Sequence, residues 1–262
     1  MYSVIIPSLG RVKYLNELLH SIFKQSVPPI EIIILLDNDE FCKKAVKNIN
    51  KRKNCKIIHC KNLNLSQKRN YGASIAETKY VIFSDDDDIW EINKGKLTIK
   101  FLQKYKVITH EFSKFGFSAQ TPRFLMGKKN KILSLKELIY GANIFGGGSS
   151  IAAWREVIIT IPFDDNYYFC EDYDWWIKIF LADIKVKYIP TCLVKYRVHN
   201  KNMTANIFQI YFFNIKIFNK LFMKSLILAI TFIIGYLRTS ISLIFKINKI
   251  LIISLLKKIF KK

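Results

Sequence analysis

Apolar positions in the first two-thirds of the chain fall alternately into short continuous runs and into helical spacings. Ser3 to Ile6 is a short apolar run that reads as a buried strand stopped by Pro7. From Arg11 to Gln25 the apolar residues Val12, Leu15, Leu18, Leu19, Ile22 and Phe23 recur every three or four positions, predicting a helix that Pro28 and Pro29 end. Ile30 to Leu36 predicts a second strand, which runs into Asp37, Asn38 and Asp39. A helix over Glu40 to Ile49, a short strand over Lys56 to His59 and a helix over Leu65 to Ala76 follow. Tyr80 to Phe83 is the fourth strand. Ile92 to Tyr105 reads as helix, Val107 to Ala119 as one or two strands, and Lys128 to Lys131 as a basic loop. Ser134 and Glu137 form a capping box for a short helix ending near Tyr140. An apolar stretch covers Ile151 to Trp154, and a helix starts near Glu171 and runs to Ala182. Lys185 to Ile189 and Leu193 to Val198 are the last strands. Strands alternating with helices predict an α/β fold whose central sheet is mainly parallel and flanked by helices. Ligands of such sheets bind beyond the carboxyl ends of the strands.

The last quarter breaks this pattern. After Asp183 there is no Asp or Glu, while Lys and Arg continue to the end, so much of the formal net charge of +22 belongs to the tail. From Asn206 onward Ile, Leu, Phe and Lys dominate. The apolar run Ser225 to Leu237 is 13 residues long, short of the roughly 20 that span a bilayer. Beyond it Ser242, Lys246, Lys249, Ser254, Lys257 and Lys261 fall on one helical face with Ile, Leu and Phe opposite. A basic amphipathic helix of this kind suits an anionic membrane surface. Packing on the rest of the chain or on a second copy, and a single span through Leu221 to Leu237, are the alternatives. The division expected is a domain over 1–204 and a basic, apolar helical tail over 205–262. Five cysteines, an odd number with no Cys-x-x-Cys pair, argue against a disulfide framework or a zinc site and for a reducing compartment. The chain enters a strand at once, so no cleavable signal is expected ahead of it.

Candidate chemistry concentrates at three places. Asp85, Asp86, Asp87 and Asp88 follow the fourth strand directly. Adjacent carboxylates raise one another's pKa unless a cation is present, and Mg²⁺ or Mn²⁺ favours such oxygens. An acidic loop that solvates a strand end would carry the same residues. Gly146, Gly147 and Gly148, followed by Ser149 and Ser150, would let backbone approach a ligand closely, or would make a plain turn. Glu171, Asp172 and Asp174 open a helix, where acids also serve as dipole partners. His199 stands just past the last strand.

Taken in order, SVIIPSLGR, EIIILLDND, QKRNYGASIAETKYVIFSDDDDIW, GGGSSIAAWREV, FDD with EDYDWW, and YRVHN resemble the successive motifs of the family 2 glycosyltransferases over residues 2–204. The resemblance implies the GT-A nucleotide-diphospho-sugar transferase fold. It also implies site residues. Asp37 would contact the nucleotide base, Arg69 would lie near the nucleotide, Asp85 would reach the ribose side, and Pro7 and Asp86 would join the nucleotide-sugar site. Asp87 would bind Mn²⁺ or Mg²⁺, with His199 as an extra ligand or a diphosphate contact. Gly147, Gly148, Ser149 and Trp175 would form the acceptor side, and Asp172 would be the base, with Glu171 the substitute. Two departures stand out: Leu36 replaces the first of two adjacent aspartates, and Asp39 stands where serine is common.

The implied chemistry is single displacement with inversion at the sugar. A divalent cation offsets charge growing on the leaving diphosphate, and a carboxylate takes the acceptor hydroxyl's proton. The expected donor is a nucleotide-diphosphate sugar, UDP-linked by the family pattern. The expected acceptor is a glycan, held on a lipid, of the O-antigen, lipooligosaccharide or capsule type. The expected place is the cytoplasmic side of the inner membrane, peripheral or with one span. A nucleotidyltransferase would share the paired aspartates but not EDYDWW. A non-catalytic membrane-surface binding protein would use the tail alone. An acidic crevice and long aliphatic runs speak against a nucleic-acid partner.

Overall fold

Four of the apolar runs pair side by side as the parallel half of a nine-stranded sheet. The computed structural model describes residues 1–37, 54–60, 62–116, 129–140, 145–199, 202–203, 206–235 and 237. Strands β1 (Ser3–Ser8), β2 (Glu31–Asp37), β3 (Cys55–Cys60) and β4 (Tyr80–Phe83) lie in the order β3-β2-β1-β4, all parallel. The sheet continues through β8 (Ala152–Trp154), β6 (Val107–Gly116), β9 (Val186–Val198) and β5 (Ile89–Trp90), with β7 (Lys131–Leu133) also on β9. β8 is antiparallel to both β4 and β6, so β6 and β9 run with the first four strands, and β5 and β7 oppose β9.

Both faces of this sheet are covered, which is why its central strands are apolar without alternation. Val4, Ile6, Ile32, Ile34, Leu36 and Ile82 point to one core with Leu15, Leu18, Leu19 and Ile22 of helix α1 (Val12–Phe23). Ile5, Ile33, Leu35, Val81 and Phe83 point to the other. There they meet Ala73 of α2 (Leu65–Ile75) and Trp175, Trp176, Ile177 and Ile179 of α6 (Glu171–Leu181). The remaining helices are α3 (Lys94–Leu102), α4 (Leu135–Tyr140), α5 (Arg155–Thr160) and α7 (Ile207–Lys224). Residues 226–235 are helical again after Ser225, which is extended.

Several boundaries differ from the sequence reading. β1 continues through Pro7 to Ser8. β4 pairs with β1 only as far as Ile5, and Ser84 N–H donates to the Ile5 carbonyl at 3.0 Å. Pro7 faces the same side as Ile5, where β4 has already ended, so its missing N–H leaves no acceptor wanting. The helix expected from Ile92 begins at Lys94, because Ile89 and Trp90 pair with β9 first. The two last strands are one, β9, whose pairing with β6 is irregular around His110 to Phe112. The helix expected over Glu40 to Ile49, the end of the Val107 to Ala119 stretch, and the basic face from Ser242 to Lys261 lie outside the described residues.

The start of the tail belongs to the core. Phe213, Ile217 and Leu221, four residues apart on α7, are buried, and Phe213 meets Tyr167 at a ring separation of 5.5 Å. Lys220 forms an ion pair with Asp174, which is fully buried in α6. Burial raises the Asp174 carboxyl, and Lys220 opposes that shift. No helix among the described residues is long and apolar enough to cross a membrane.

Candidate active site

The parallel strands deliver Ser8, Asp37 and Asp85 to the same edge of the sheet, their carboxyl ends. Lys68 of α2, itself buried, ties two of those ends together: its ammonium lies 2.6 Å from Asp37 Oδ1 and donates to the Ser8 carbonyl at 3.1 Å. The four aspartates then turn in different directions. Asp85 is one-quarter exposed and faces Arg69 Nη2 at 3.0 Å. Asp86 is buried: its Oδ2 accepts from Ser8 Oγ at 2.6 Å and from Leu9 N–H at 3.1 Å, and its Oδ1 takes two bonds from Arg11. Asp87 Oδ2 meets Arg11 Nη1 at 2.7 Å and His199 Nε2 at 3.0 Å. Asp88 is fully buried and accepts from Arg197 N–H at 3.0 Å.

Opposite this edge stands the start of α6. Cys170 takes a left-handed backbone (φ 57°) and turns the chain so that the next two acids diverge. Glu171 goes inward to Arg69 Nη1 at 2.7 Å, while Asp172 stays half-buried. Arg69 is therefore a fully buried bridge between α6 and the aspartate run. Burial alone would lower its pKa, but Glu171 and Asp85 outweigh that and raise it. The glycines close the third side. A methyl on Gly147 would sit 3.7 Å from Asp85 Oδ2 and 3.8 Å from Asp172 Oδ2, so these two carboxylates flank one spot. On Gly148 it would come within 2.1 Å of Arg69 Nη2, which is why only glycine fits there.

Beneath the glycines lies a buried polar layer. Lys94 Nζ donates to the Ser149 carbonyl at 2.5 Å and sits 4.1 Å over the Trp90 ring. Ser149 Oγ in turn accepts from Asp85 N–H at 2.8 Å. Burial pulls Lys94 down to about 7 against the pull of Asp88 and Asp85, and pulls His110 down to about 3 with Lys94 adding to the shift. Asp88 is pushed well up, first by burial and then by Asp85 and Asp87. Asp87 is raised by burial, which Arg11 opposes.

Asp37, Arg69, Asp85, Asp87, Asp172, His199, Gly147, Gly148 and Ser149 thus lie on the carboxyl-end side of the sheet, linked through Lys68, Arg69, Arg11 and the glycine turn. Three of the expected positions are placed further in. Asp86 has both oxygens committed to Ser8, Leu9 and Arg11, which leaves nothing for a nucleotide sugar. Trp175 is fully buried, stacks on Phe163 at 5.1 Å and donates to the Ile161 carbonyl, so it offers an acceptor no surface. Pro7 is buried within β1. Arg11, Lys68, Lys94 and Arg197 complete the site and were not singled out from sequence. Arg11 stands in SLGR beside the strand end, but nothing in spacing assigns it a partner.

As for a divalent cation, no three His, Cys, Asp or Glu side chains among the described residues converge as a cage. Asp87 and His199, a carboxylate and an imidazole 3.0 Å apart, are nevertheless donors of the kind Mn²⁺ or Mg²⁺ accepts, and substrate phosphates commonly complete such shells.

Comparison with known proteins bears on the fold and the family. The S. aureus TarS 1–349 structure in complex with UDP-GlcNAc superposes with a TM-score of 0.65 at 20% identity, over 78% of this chain and 60% of that one. The chain has the same GT-A fold, a mixed sheet flanked by helices. An Escherichia coli protein, the UDP-Glc:alpha-D-GlcNAc-diphosphoundecaprenol beta-1,3-glucosyltransferase WfaP, is 29% identical over 219 residues, 80% of this chain and 82% of that protein. An uncharacterized glycosyltransferase of Methanocaldococcus jannaschii is 28% identical over 198 residues, 72% of this chain and 68% of its own. The sequence model of glycosyl transferase family 2 matches residues 3–151, more than half of the chain, and the chain belongs to that family.

Proposed function

We propose that this protein transfers a sugar from a UDP-linked donor to a hydroxyl of a lipid-held surface glycan, with inversion at the sugar. One observation carries the reading: the Asp85 and Asp172 carboxylates lie within 4 Å of the same point beside Gly147, on the side of the carboxyl ends of β1, β2 and β4. A donor and an acceptor meeting there would have one carboxylate on each side. Asp37 and Asp85 suit the nucleoside. Asp172 suits proton removal better than Glu171 because its Oδ2 lies beside the Gly147 point, whereas Glu171 turns inward to Arg69. As the acceptor oxygen attacks, its proton passes to Asp172, and the bond between sugar and diphosphate breaks with its electrons on the diphosphate. A divalent cation held by Asp87 and His199 would supply Lewis-acid stabilisation of that leaving group. Gly147 and Gly148 keep the acceptor side open, and Arg69 fixes α6 against the donor side. The donor class and lipid carrier are supported by the names of the S. aureus neighbour and the E. coli relative.

Residues 205–262 serve, in this reading, as the membrane-facing part on the cytoplasmic side of the inner membrane. Phe208, Phe212, Met223, Ile227, Ile230 and Ile234 are exposed along α7 and the helix after it, beside Lys216 and Lys224 and in a region without acids. Exposed apolar groups flanked only by cations suit an anionic bilayer.

The test is transfer from a panel of UDP-sugars to a polyprenyl-diphosphate-linked acceptor. In Asp172→Asn, kcat should fall by about 10²–10⁴ with donor Kd unchanged within a factor of about two. Glu171→Gln should instead lower the melting temperature, because it removes the partner of buried Arg69. Near-normal kcat in folded Asp172→Asn would refute the assignment of the base.

A further inference from the structure

The place read above as a cation site already contains a cation. Arg11 Nη1 lies 2.7 Å from Asp87 Oδ2 and 3.0 Å from His199 Nε2, while its Nε and Nη2 both bond Asp86 Oδ1. Those are the two atoms a divalent ion would take here: the Asp87 carboxylate oxygen and the His199 Nε2 that faces it. His199 is held in place independently: its ring stacks on Tyr14 at 5.4 Å and its backbone N–H donates to Asn202 Oδ1. A guanidinium keeps its charge at any working pH, so it leaves only by moving. Arg11 is free to do so: its side chain is one-quarter exposed at the entrance to α1, unlike Arg69 and Lys94, which are enclosed.

We propose that Arg11 is a positioning residue that competes with the divalent cation for Asp87 and His199. Before loading, it neutralises Asp86 and Asp87 and keeps Asp87 and His199 in a liganding arrangement. On loading it withdraws from Asp87 and His199. The apparent affinity of the free protein for the ion is then lowered by the fraction of molecules in which Arg11 is turned away. A donor diphosphate raises that fraction, because its oxygens accept the displaced guanidinium, so ion and donor favour each other's binding. This inference rests on the cation site proposed above.

The experiment measures Mn²⁺ binding to the full chain by the paramagnetic resonance signal of free Mn²⁺, first alone and then with UDP. It compares the native protein, Arg11→Ala and Arg11→Lys. Without UDP, Arg11→Ala should bind Mn²⁺ at least about tenfold more tightly than the native protein. Arg11→Lys, which keeps the charge but cannot bridge two carboxylates, should fall between them. Equal or weaker binding by folded Arg11→Ala overturns the inference while leaving the cation site standing. No Mn²⁺ binding by any of the three, with or without UDP, removes the cation site itself and the inference with it. Should Arg11→Ala fail to fold, the native protein decides the matter. With ¹⁵N-labelled arginine, the Arg11 Nη1–H resonance, which reports the contact with Asp87 and His199, should shift and lose its protection at saturating Mg²⁺ and UDP, and its persistence unchanged there overturns the inference.

Discussion

Two adjacent glycines should respond oppositely to the same added methyl. In Gly148→Ala the new carbon would lie 2.1 Å from Arg69 Nη2, 2.8 Å from its Cζ and 2.7 Å from Asp85 Oδ1. Arg69 cannot step aside freely, because it is fully buried and its other terminal nitrogen is held by Glu171 at 2.7 Å. Overpacking a site of this kind costs about 1–3 kcal/mol. Loosening the charge-assisted bond to Asp85 adds about 1 kcal/mol, at the low end because Asp85 is partly exposed. At about 2–4 °C per kcal/mol for a chain of this size, the melting temperature should fall by roughly 5–15 °C. In Gly147→Ala the nearest atoms are 3.7 and 3.8 Å away, ordinary contact, so the change in stability should stay within about 0.5 kcal/mol. That methyl does, however, occupy the point between Asp85 and Asp172 where acceptor and donor would meet. Transfer should fall by about ten- to a hundredfold, the scale of a 1 Å misplacement. Thermal unfolding followed by fluorescence and a radiolabelled transfer assay separate the two effects. If Gly148→Ala melts with the native protein, or if Gly147→Ala is the more destabilised, the geometry assigned to this turn is wrong.

Three other outcomes follow from the same contacts. Burial holds Lys94 near a pKa of about 7, so between pH 7 and 10 the unfolded chain carries a proton that the folded one has shed, and stability gains with rising pH. The native unfolding free energy minus that of Lys94→Met, from urea titrations, should grow from pH 7 to pH 9, and a constant or shrinking difference contradicts the assignment. A chelator should reduce transfer by the native protein at least about a hundredfold, with recovery on adding Mn²⁺; full activity in the chelator excludes a role for the cation. A chain ended after Leu237 keeps Phe213, Ile217, Leu221 and Phe232 in the core and the exposed apolar face of α7 and the helix after it, so it should stay folded and bind phosphatidylglycerol vesicles more weakly than the full chain as the lysines beyond are lost; undiminished binding would confine the membrane contact to residues 206–237.

Legibility in the sequence tracked how much of a feature is local. β1, β2 and β4 are buried on both faces and so stand out as unbroken apolar runs, and α1 carries a full amphipathic stripe. β5 and β7 have two and three residues, too few for any period, and exist only because β9 offers them a partner. The passage of β1 through Pro7 depends on where the neighbouring strand stops, which no window around Pro7 contains. Four aspartates after a strand mark the site plainly, and the acidic start of α6 marks its other wall. Which aspartate faces a ligand is not local: Asp86 is taken up by Ser8, Leu9 and Arg11, and only the turn of the chain decides it. Trp175 shares a segment with Asp172 but sits three positions on, nearly a full helical turn, and packs into the core. The cations were hidden for another reason. In a chain with 42 lysines and arginines, no single one draws notice before its partner is known.

Those cations explain how four consecutive carboxylates coexist. Asp85 meets Arg69 from α2, Asp86 and Asp87 meet Arg11 from the entrance to α1, Asp87 also meets His199 beyond β9, and Asp88 lies within the field of Lys94 from α3. The acidic run thus joins four parts of the fold, and its partners differ in depth. Arg69 and Lys94 are enclosed, and an enclosed charge that loses its partner is strongly destabilising. Arg11 and Asp85 are about one-quarter exposed, where water and a ligand can replace the partner. The interior pairs therefore fix the geometry, and the outer ones are free to exchange partners. Asp88→Asn tests the first kind, through melting temperature. Asp87→Ala tests the second, through Mn²⁺-dependent donor binding in a protein that remains folded. The two variants differ by one position in the chain and should fail in different assays.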